Sequence, residues 1–269
     1  MAKNQVWMNW YRGVPEDLSI LDVIKFGTVD YKTAGLFWLL MEQRASAIVA
    51  AGPAWVGKTT LLNALLDFVP PGVELCYLQG FYEDFSQLAT RKPENTYLVA
   101  EEISNHQYEY LWGHQVVKAF NFISKGHALG TTTHARNIKE VAYILNALGV
   151  TPENIARVGL VVTMQVTRGK RFDDEPIRYV DTVSTLSISD EGLTAHILAS
   201  RHLPEAPLTY PSEKDLYDVL TKKFGLKYPS ISEEIEKRGA LLKELDTRKI
   251  SHKEFRQAVA DFYREQVKD

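Results

Sequence analysis

Residues 52–60 decide the fold of this sequence, and they read Gly52-Pro53-Ala54-Trp55-Val56-Gly57-Lys58-Thr59-Thr60. They match the phosphate-binding pattern G-x-x-x-x-G-K-[ST] at every fixed position. The run 46–51 before them is short and apolar, which indicates a buried strand, and the leucine-rich run 60–68 behind them indicates a helix. When strand, glycine loop and helix follow in this order, backbone N–H groups and the helix N-terminus face a bound phosphate.

Two side chains of this loop carry specific expectations. Lys58 supplies a positive charge for the phosphates, and the hydroxyl of Thr59 is suited to bind Mg²⁺. The sequence therefore predicts that residues 52–60 bind ATP and Mg²⁺. Trp55 and Val56 stand at positions that are usually small or polar, so we expect a bulkier and drier loop. The alternative interpretation is a chance match in a turn between a strand and a helix.

The composition limits the class of protein. The 269 residues suffice for one large α/β domain, or for one domain with a small appendage. A formal charge of −3 gives no electrostatic basis for nucleic-acid binding. The single cysteine, Cys76, excludes an internal disulfide and suits a reducing compartment. We find no signal-peptide pattern and no apolar run near the roughly 18–20 residues that span a bilayer, and we expect a cytoplasmic protein.

Strands and helices alternate along the first two thirds of the chain. Besides 46–51, short apolar runs that indicate strands lie at residues 75–78, 97–100, 128–132 and 158–166. Besides 60–68, helices are predicted at residues 31–44, 105–124 and 138–148. Strands that alternate with helices and are buried on both faces favour a mostly parallel sheet.

The pattern changes after residue 167. Residues 168–175 form a charged turn, and the segments 177–189 and 194–200 alternate polar and apolar side chains, as antiparallel or edge strands do. Three charged amphipathic helices are predicted from Ser212 onward. The expected organisation is an irregular lead-in over 1–18, an ATPase domain over 19–200 and a C-terminal helical subdomain over 201–269.

Two acids and a histidine follow predicted strands. Glu101 and Glu102 come directly after the strand at 97–100, where a P-loop protein needs a carboxylate to hold Mg²⁺ or polarise water. Adjacent strand residues point to opposite faces, so one acid faces the phosphates, and Glu102 is favoured. His134 follows a separate strand, and an imidazole at that edge of a parallel sheet can sense the γ-phosphate or orient water. The alternatives are surface acids at a strand end and a structural loop histidine.

The order of these motifs resembles a known family. A P-loop, an acid-terminated strand, and Gly126-His127 leading to Thr131-Thr132-Thr133-His134-Ala135 are similar to the secretion ATPases of type II and type IV systems. Segments 21–29 and 231–238 are similar to the archaeal-type branch, and His134 falls on the histidine of the family's His box. The resemblance implies a RecA-like ATPase motor domain that forms a hexameric ring. It also implies a membrane-embedded secretion or pilus platform as partner, with the chain peripheral at the inner face of the membrane.

The sequence departs from this family at the segment called the Asp box. The family's Glu-Asp pair corresponds to Gln79-Gly80 in the best register, and Glu83-Asp84 lies displaced downstream. Either Gln79 marks a lost acid, or the intervening turn folds Glu83 back as its substitute.

Other departures suggest a minimal, divergent member. The glycine and the arginine that flank the family's acid are absent around Glu101-Glu102. The short lead-in leaves no room for the family's large N-terminal domain, so we expect weak or nucleotide-dependent self-association. The rival hypothesis is a nucleotide-binding regulatory or assembly subunit with little hydrolysis. A small-molecule kinase is a weaker third hypothesis, because no acceptor-binding or lid segment is recognisable.

Overall fold

The computed structural model describes residues 18–167, 176–201 and 203–266. The predicted charged turn and nearly all of the lead-in lie outside these residues. The helices are α1 (Ile20–Lys25), α2 (Tyr31–Glu42), α3 (Lys58–Leu66), α4 (His114–Ile123), α5 (Ile138–Ala147), α6 (Pro152–Ile155), α7 (Glu213–Phe224), α8 (Ile231–Thr247) and α9 (His252–Gln266). The strands are β1 (Ser46–Ala50), β2 (Glu74–Tyr77), β3 (Thr96–Val99), β4 (Ala128–Thr133), β5 (Val158–Thr167), β6 (Ile177–Ser189) and β7 (Gly192–Ser200).

These strands form one sheet in the order β2-β3-β4-β1-β5-β6-β7. The pairs β2–β3, β3–β4, β4–β1 and β1–β5 are parallel, whereas β5–β6 and β6–β7 are antiparallel. Every residue of β1, β3 and β4 is buried, which agrees with the continuous apolar runs that predicted them. The predicted α/β fold is confirmed: a mostly parallel sheet flanked by helices, with antiparallel C-terminal strands.

Helices cover both faces of the sheet. Successive residues of a strand point to opposite sides, so each buried strand contributes side chains to both cores. Ala47 and Val49 of β1 join one apolar cluster with α1 to α3 and the C-terminal helices. Ile48 and Ala50 of the same strand join a second cluster with α4, α5 and α6. The strand before the glycine loop therefore lies between two cores, which fixes the point at which the loop leaves the sheet.

The helix predicted at residues 105–124 is shorter in the structure. It begins only at His114, and residues 104–112 are irregular. The backbone N–H of Leu111 donates to the carbonyl of Glu102 (2.9 Å), a partner outside any helix. Tertiary pairing has overridden the local helical pattern here, and it returns the segment 104–112 to the edge of the sheet beside Glu102.

The C-terminal helices pack against α2 through facing glycines. A Cβ atom on Gly35 would collide with the carbonyl oxygen of Ile235 and lie 2.9 Å from the backbone nitrogen of Gly239. A Cβ on Gly239 would lie 2.9 Å from the carbonyl oxygen of Tyr31. The backbones of α2 and α8 therefore approach each other too closely for any side chain at these two positions.

The three predicted C-terminal helices are present, and the last begins with the predicted capping box. The Glu254 carboxylate accepts from the Ser251 N–H (2.7 Å), and the Ser251 hydroxyl accepts from the Glu254 N–H (3.3 Å). Apolar residues of all three helices share the core formed by α1 to α3. The division at residue 200 into two domains stays a prediction. Among the described residues, no helix is both long and apolar enough to cross a bilayer.

Candidate active site

The loop between β1 and α3 contains two residues in the left-handed region of backbone conformation. Gly57 has a φ of 98° and immediately precedes Lys58, the first residue of α3. Trp55 has a φ of 64°, a conformation that costs free energy for a residue other than glycine. Its carbonyl accepts a hydrogen bond from Nε of Arg178 in β6 (3.0 Å). A neighbouring strand therefore helps to hold the loop in its shape.

The two bulky residues of the loop lie in different environments. Val56 is fully buried and belongs to the core on the α3 side of the sheet. The Trp55 side chain is 83% exposed. The expected bulk is therefore present, but the expectation of a drier loop is wrong for Trp55, because its ring faces solvent and does not shield the loop.

Three side chains from different parts of the sequence meet beside this loop. Nζ of Lys58 lies 3.6 Å from Oε2 of Glu102 and 3.2 Å from Nε2 of His134. Nε2 of His134 lies 3.5 Å from Oε1 of Glu102. Lys58 follows β1, Glu102 follows β3 and His134 follows β4. The carboxyl ends of these parallel strands meet at one edge of the sheet, where open α/β sheets bind ligands.

The imidazole of His134 is oriented by the glycine loop itself. Its Nδ1 lies 3.0 Å from the carbonyl oxygen of Gly52. A carbonyl oxygen only accepts hydrogen bonds, so Nδ1 carries a proton in this contact. Nε2 faces Lys58 and Glu102. The loop and the histidine are thus coupled through one hydrogen bond.

The two adjacent acids occupy different environments. The Glu102 side chain is 3% exposed, and its Oε2 accepts a long hydrogen bond from Oγ1 of Thr132 (3.5 Å). Within the described part of the chain, Oε1 of Glu102 has no hydrogen-bond partner although it is buried. Glu101 is partly exposed and also lines the cleft in front of the loop. Glu102 is the acid that forms the ion pair with Lys58.

Gln79 and Glu83 lie in different environments. Gln79 lines the cleft. Glu83 is 3% exposed, and it is not among the residues that line the cleft. Its carboxylate accepts from the backbone N–H groups of Gln79 (2.7 Å) and Phe85 (2.6 Å). Phe85 has a φ of 62°, so Glu83 stabilises a strained turn of its own loop.

The cleft beside the loop has a volume of about 930 Å³, which falls within the range typical of small-molecule sites. Residues 54–60 line it on one side, and Gly52 and Pro53 do not. Thr59, in the first turn of α3, and Glu102 both line the cleft and offer the oxygen ligands that Mg²⁺ prefers. The unpaired Oε1 of Glu102 is an observation in favour of a cation or water at this position.

Sequence reasoning missed two residues of the site. Arg178 lies on β6, which is separated from β1 by one strand in the sheet. No local pattern predicts a contact between residues so far apart in the chain. His106 lies near His134, with their ring centroids 6.0 Å apart. It was hidden within the predicted helix at 105–124. Only the irregular path of residues 104–112 brings it beside His134.

Comparison with known proteins gives distant relatives. No protein-family model matches the chain. The uncharacterized protein MJ1287 of Methanocaldococcus jannaschii is 24% identical over 274 residues, covering 90% of this chain and 96% of that protein. The uncharacterized protein MJ0900 of the same organism is 27% identical over 146 residues, covering 48% of this chain and 26% of that protein.

Solved structures similar to this chain include secretion ATPases. The VirB11 ATPase from the Brucella suis type IV secretion system, in complex with sulphate, is 17% identical, with a TM-score of 0.41 over 68% of this chain. The Yersinia pseudotuberculosis ATPase DotB is 11% identical, with a TM-score of 0.36 over 77% of this chain. The chain spans 64% and 53% of these two proteins, less than two thirds of either.

Proposed function

We propose that this chain binds and hydrolyses ATP as a motor domain of the type II and type IV secretion and pilus kind. The observation that carries the proposal is the meeting of Lys58, Glu102 and His134 within 3.6 Å of one another beside the glycine loop. Three strand ends contribute these groups to one edge of a parallel sheet. A phosphate-loop sequence pattern alone can occur by chance in a turn, whereas this constellation supplies the charge, the acid and the imidazole that suit phosphoryl transfer to water.

Different groups of the chain bind different parts of the nucleotide. The backbone N–H groups at residues 54–60 and the N-terminus of α3 face the phosphates, and Lys58 adds a positive charge. Thr59 and Glu102 would hold Mg²⁺, which would neutralise charge on the phosphates. The cleft in front of the loop takes the rest of the nucleotide. ATP and Mg²⁺ are therefore the ligands that we assign to this site.

Lys58 couples phosphate binding to the Glu102 carboxylate. Its ammonium lies within 3.6 Å of the Glu102 carboxylate, so a phosphate that attracts Lys58 weakens this ion pair. Glu102 is then free to accept a hydrogen bond from a water molecule and to orient it. His134 presents Nε2 to the same space while Nδ1 is held by Gly52. In this scheme His134 responds to the terminal phosphate.

The Asp-box region makes hydrolysis slow. The amide of Gln79 can hydrogen-bond a water molecule but cannot take its proton, and general-base assistance is typically worth about 10²–10⁴ in rate. The Glu83 carboxylate is occupied by two backbone N–H groups of its own loop. Most of the remaining activity therefore falls to Glu102, and Glu101 is the other acid at the cleft.

The state of Gln79 and Glu83 favours a second candidate function. If Gln79 and the occupied Glu83 leave no general base, the chain is a nucleotide-binding regulatory or assembly subunit with little or no hydrolysis. In either case the partners follow from the family resemblance: ATP and ADP, further copies of the chain in a hexameric ring, and a membrane-embedded platform protein at the inner face of the membrane. No nucleic acid is expected.

The first experiment measures ATP affinity and steady-state turnover in parallel on the purified chain. Lys58→Ala should weaken ATP binding at least tenfold, about 1.4 kcal/mol or more, because the charge that meets the phosphates is lost. Lys118→Ala, a lysine exposed on α4, is the matched control and should bind as the unaltered protein does. Unchanged ATP affinity in a folded Lys58→Ala protein would overturn the proposal. Tight binding without turnover would select the regulatory subunit.

A further inference from the structure

Two imidazoles and one carboxylate converge at the edge of the cleft. Glu102, His106 and His134 each offer one ligand atom, and these atoms lie within 4.8 Å of one another. Glu102 is buried, His134 is half-buried and His106 is exposed on the irregular segment 104–112. The cluster therefore combines two fixed groups with one that has room to adjust.

An oxygen atom lies within hydrogen-bond distance of the same ring nitrogen, Nδ1, in each of the two histidines. Nδ1 of His134 lies 3.0 Å from the Gly52 carbonyl oxygen, and Nδ1 of His106 lies 3.3 Å from Oγ of Ser104. Rings protonated on Nδ1 satisfy both contacts and leave Nε2 as the ligand. Metal-bound histidines typically donate their other ring N–H to an oxygen in this way, which fixes the ring orientation.

The distance between the two fixed ligands suits a tetrahedral ion. Nε2 of His134 and Oε1 of Glu102 are 3.5 Å apart. Neighbouring ligands of Zn²⁺ are about 3.4 Å apart when each metal–ligand bond is about 2.1 Å. Oε1 of Glu102 is also the buried oxygen that has no hydrogen-bond partner among the described residues. A cation would supply the partner that a buried carboxylate oxygen ordinarily has.

We propose that Glu102, His106 and His134 form a Zn²⁺ site with a fourth position open to water. Imidazole nitrogen favours Zn²⁺, whereas the hard cation Mg²⁺ favours oxygen ligands. Three protein ligands and an open position are the usual composition of a catalytic zinc site. The donor set and its geometry carry this assignment, which does not depend on nucleotide binding.

Lys58 is the natural competitor of this ion. Its Nζ lies 3.2 Å from Nε2 of His134 and 3.6 Å from Oε2 of Glu102, so its ammonium occupies two of the groups that Zn²⁺ needs. Zn²⁺ and the Lys58 ammonium therefore exclude each other. A further consequence, which rests on the proposed function, is that Zn²⁺ inhibits ATP turnover by holding Glu102 and His134.

The test measures Zn²⁺ affinity by competition with a chelating dye, on the full chain without nucleotide, with Co²⁺ absorption as a second readout of tetrahedral nitrogen and oxygen ligands. His106→Ala should weaken Zn²⁺ binding at least tenfold. Lys58→Met should tighten Zn²⁺ binding at least tenfold, because the competing ammonium is gone. His114→Ala, an exposed histidine at the start of α4, is the control and should bind Zn²⁺ normally.

Two results would overturn the zinc site. One is Zn²⁺ affinity unchanged by His106→Ala, and the other is Zn²⁺ affinity unchanged by Lys58→Met. Melting curves of each variant separate loss of the site from loss of the fold. The outcome is distinct from that of the nucleotide experiment: Lys58→Met is expected to lose ATP and gain Zn²⁺. Either proposal can therefore fail while the other stands.

Discussion

The ammonium nitrogen of Lys58 lies 3.6 Å from Oε2 of Glu102, and the two side chains are only 7% and 3% exposed. Removing one partner of a buried ion pair leaves the other charge uncompensated, which typically costs about 3–5 kcal/mol. The pair therefore cannot be broken without a replacement for each charge. Under the proposed function the phosphates replace Glu102 as partner of Lys58, and Mg²⁺ or water replaces Lys58 as partner of Glu102.

Glu102→Gln should abolish the remaining ATP turnover while ATP affinity stays within a few-fold. The amide keeps the shape of the side chain but cannot take a proton from water. Turnover and binding are measured on the same preparation, with Glu101→Gln as the adjacent control. Loss of turnover in Glu101→Gln with normal activity in Glu102→Gln would show that the neighbouring acid is the functional one.

Gln79→Glu should raise ATP turnover, because it places an acid at the cleft position that the family resemblance assigns to the Asp box. Glu83→Gln should instead lower the free energy of unfolding, since Glu83 accepts two backbone N–H groups in a buried turn. Urea unfolding and steady-state kinetics of both variants separate the two effects. If Gln79→Glu has no effect and Glu83→Gln stops turnover at full stability, Glu83 is the Asp-box acid.

Gly35→Ala should destabilise the protein by roughly 1–3 kcal/mol or more, the range typical of overpacked cores. The added methyl group would collide with the backbone of α8 at Ile235 and force α2 and α8 apart. Thermal and urea unfolding measure the loss. Ala240→Gly, on the exposed side of α8, provides a scale, because it costs only about 1 kcal/mol in helix propensity. A Gly35→Ala protein as stable as the parent would contradict the close approach of these helices.

The stability of the protein should rise between about pH 8 and pH 10 through Lys223. Burial lowers the pKa of Lys223 to about 8, and its ammonium donates to the carbonyl oxygens of Ala156 and Leu186. In the unfolded chain the lysine pKa is about 10.4, so the unfolded state binds more protons in this window and stability increases with pH. Lys223→Met removes this contribution.

Urea unfolding of the parent and of Lys223→Met at several pH values checks the prediction for Lys223. The difference in unfolding free energy between the two proteins should grow in favour of the parent as the pH rises through this window. Parallel pH profiles for the two proteins would show that Lys223 is not the group responsible.

Local sequence patterns were sufficient to predict much of the fold. The glycines of the loop at residues 52–60, the β-branched runs of the parallel strands and the serine caps of the last helices each depend on near neighbours in sequence. The structure has these elements in the expected order and with the expected mostly parallel sheet. The long helix predicted at 105–124 is the exception, because its first half takes backbone partners elsewhere: Leu111 pairs with the segment that follows β3, and the carbonyl of Tyr108 accepts from the N–H of Phe81.

By itself, the sequence determined the phosphate-loop pattern, the alternation of strands and helices, and the three strand ends that carry Lys58, Glu102 and His134. The tertiary structure decided which groups around these ends meet. It paired Glu102 with Lys58, engaged Glu83 in its own turn and brought His106 beside His134. The contacts of Glu102 with Lys58 and of His106 with His134 join residues that are far apart in the chain. A shift of one residue in strand register turns a side chain to the opposite face. Only the packed sheet fixes that register, because it is set by the two cores on its faces and not by any local pattern.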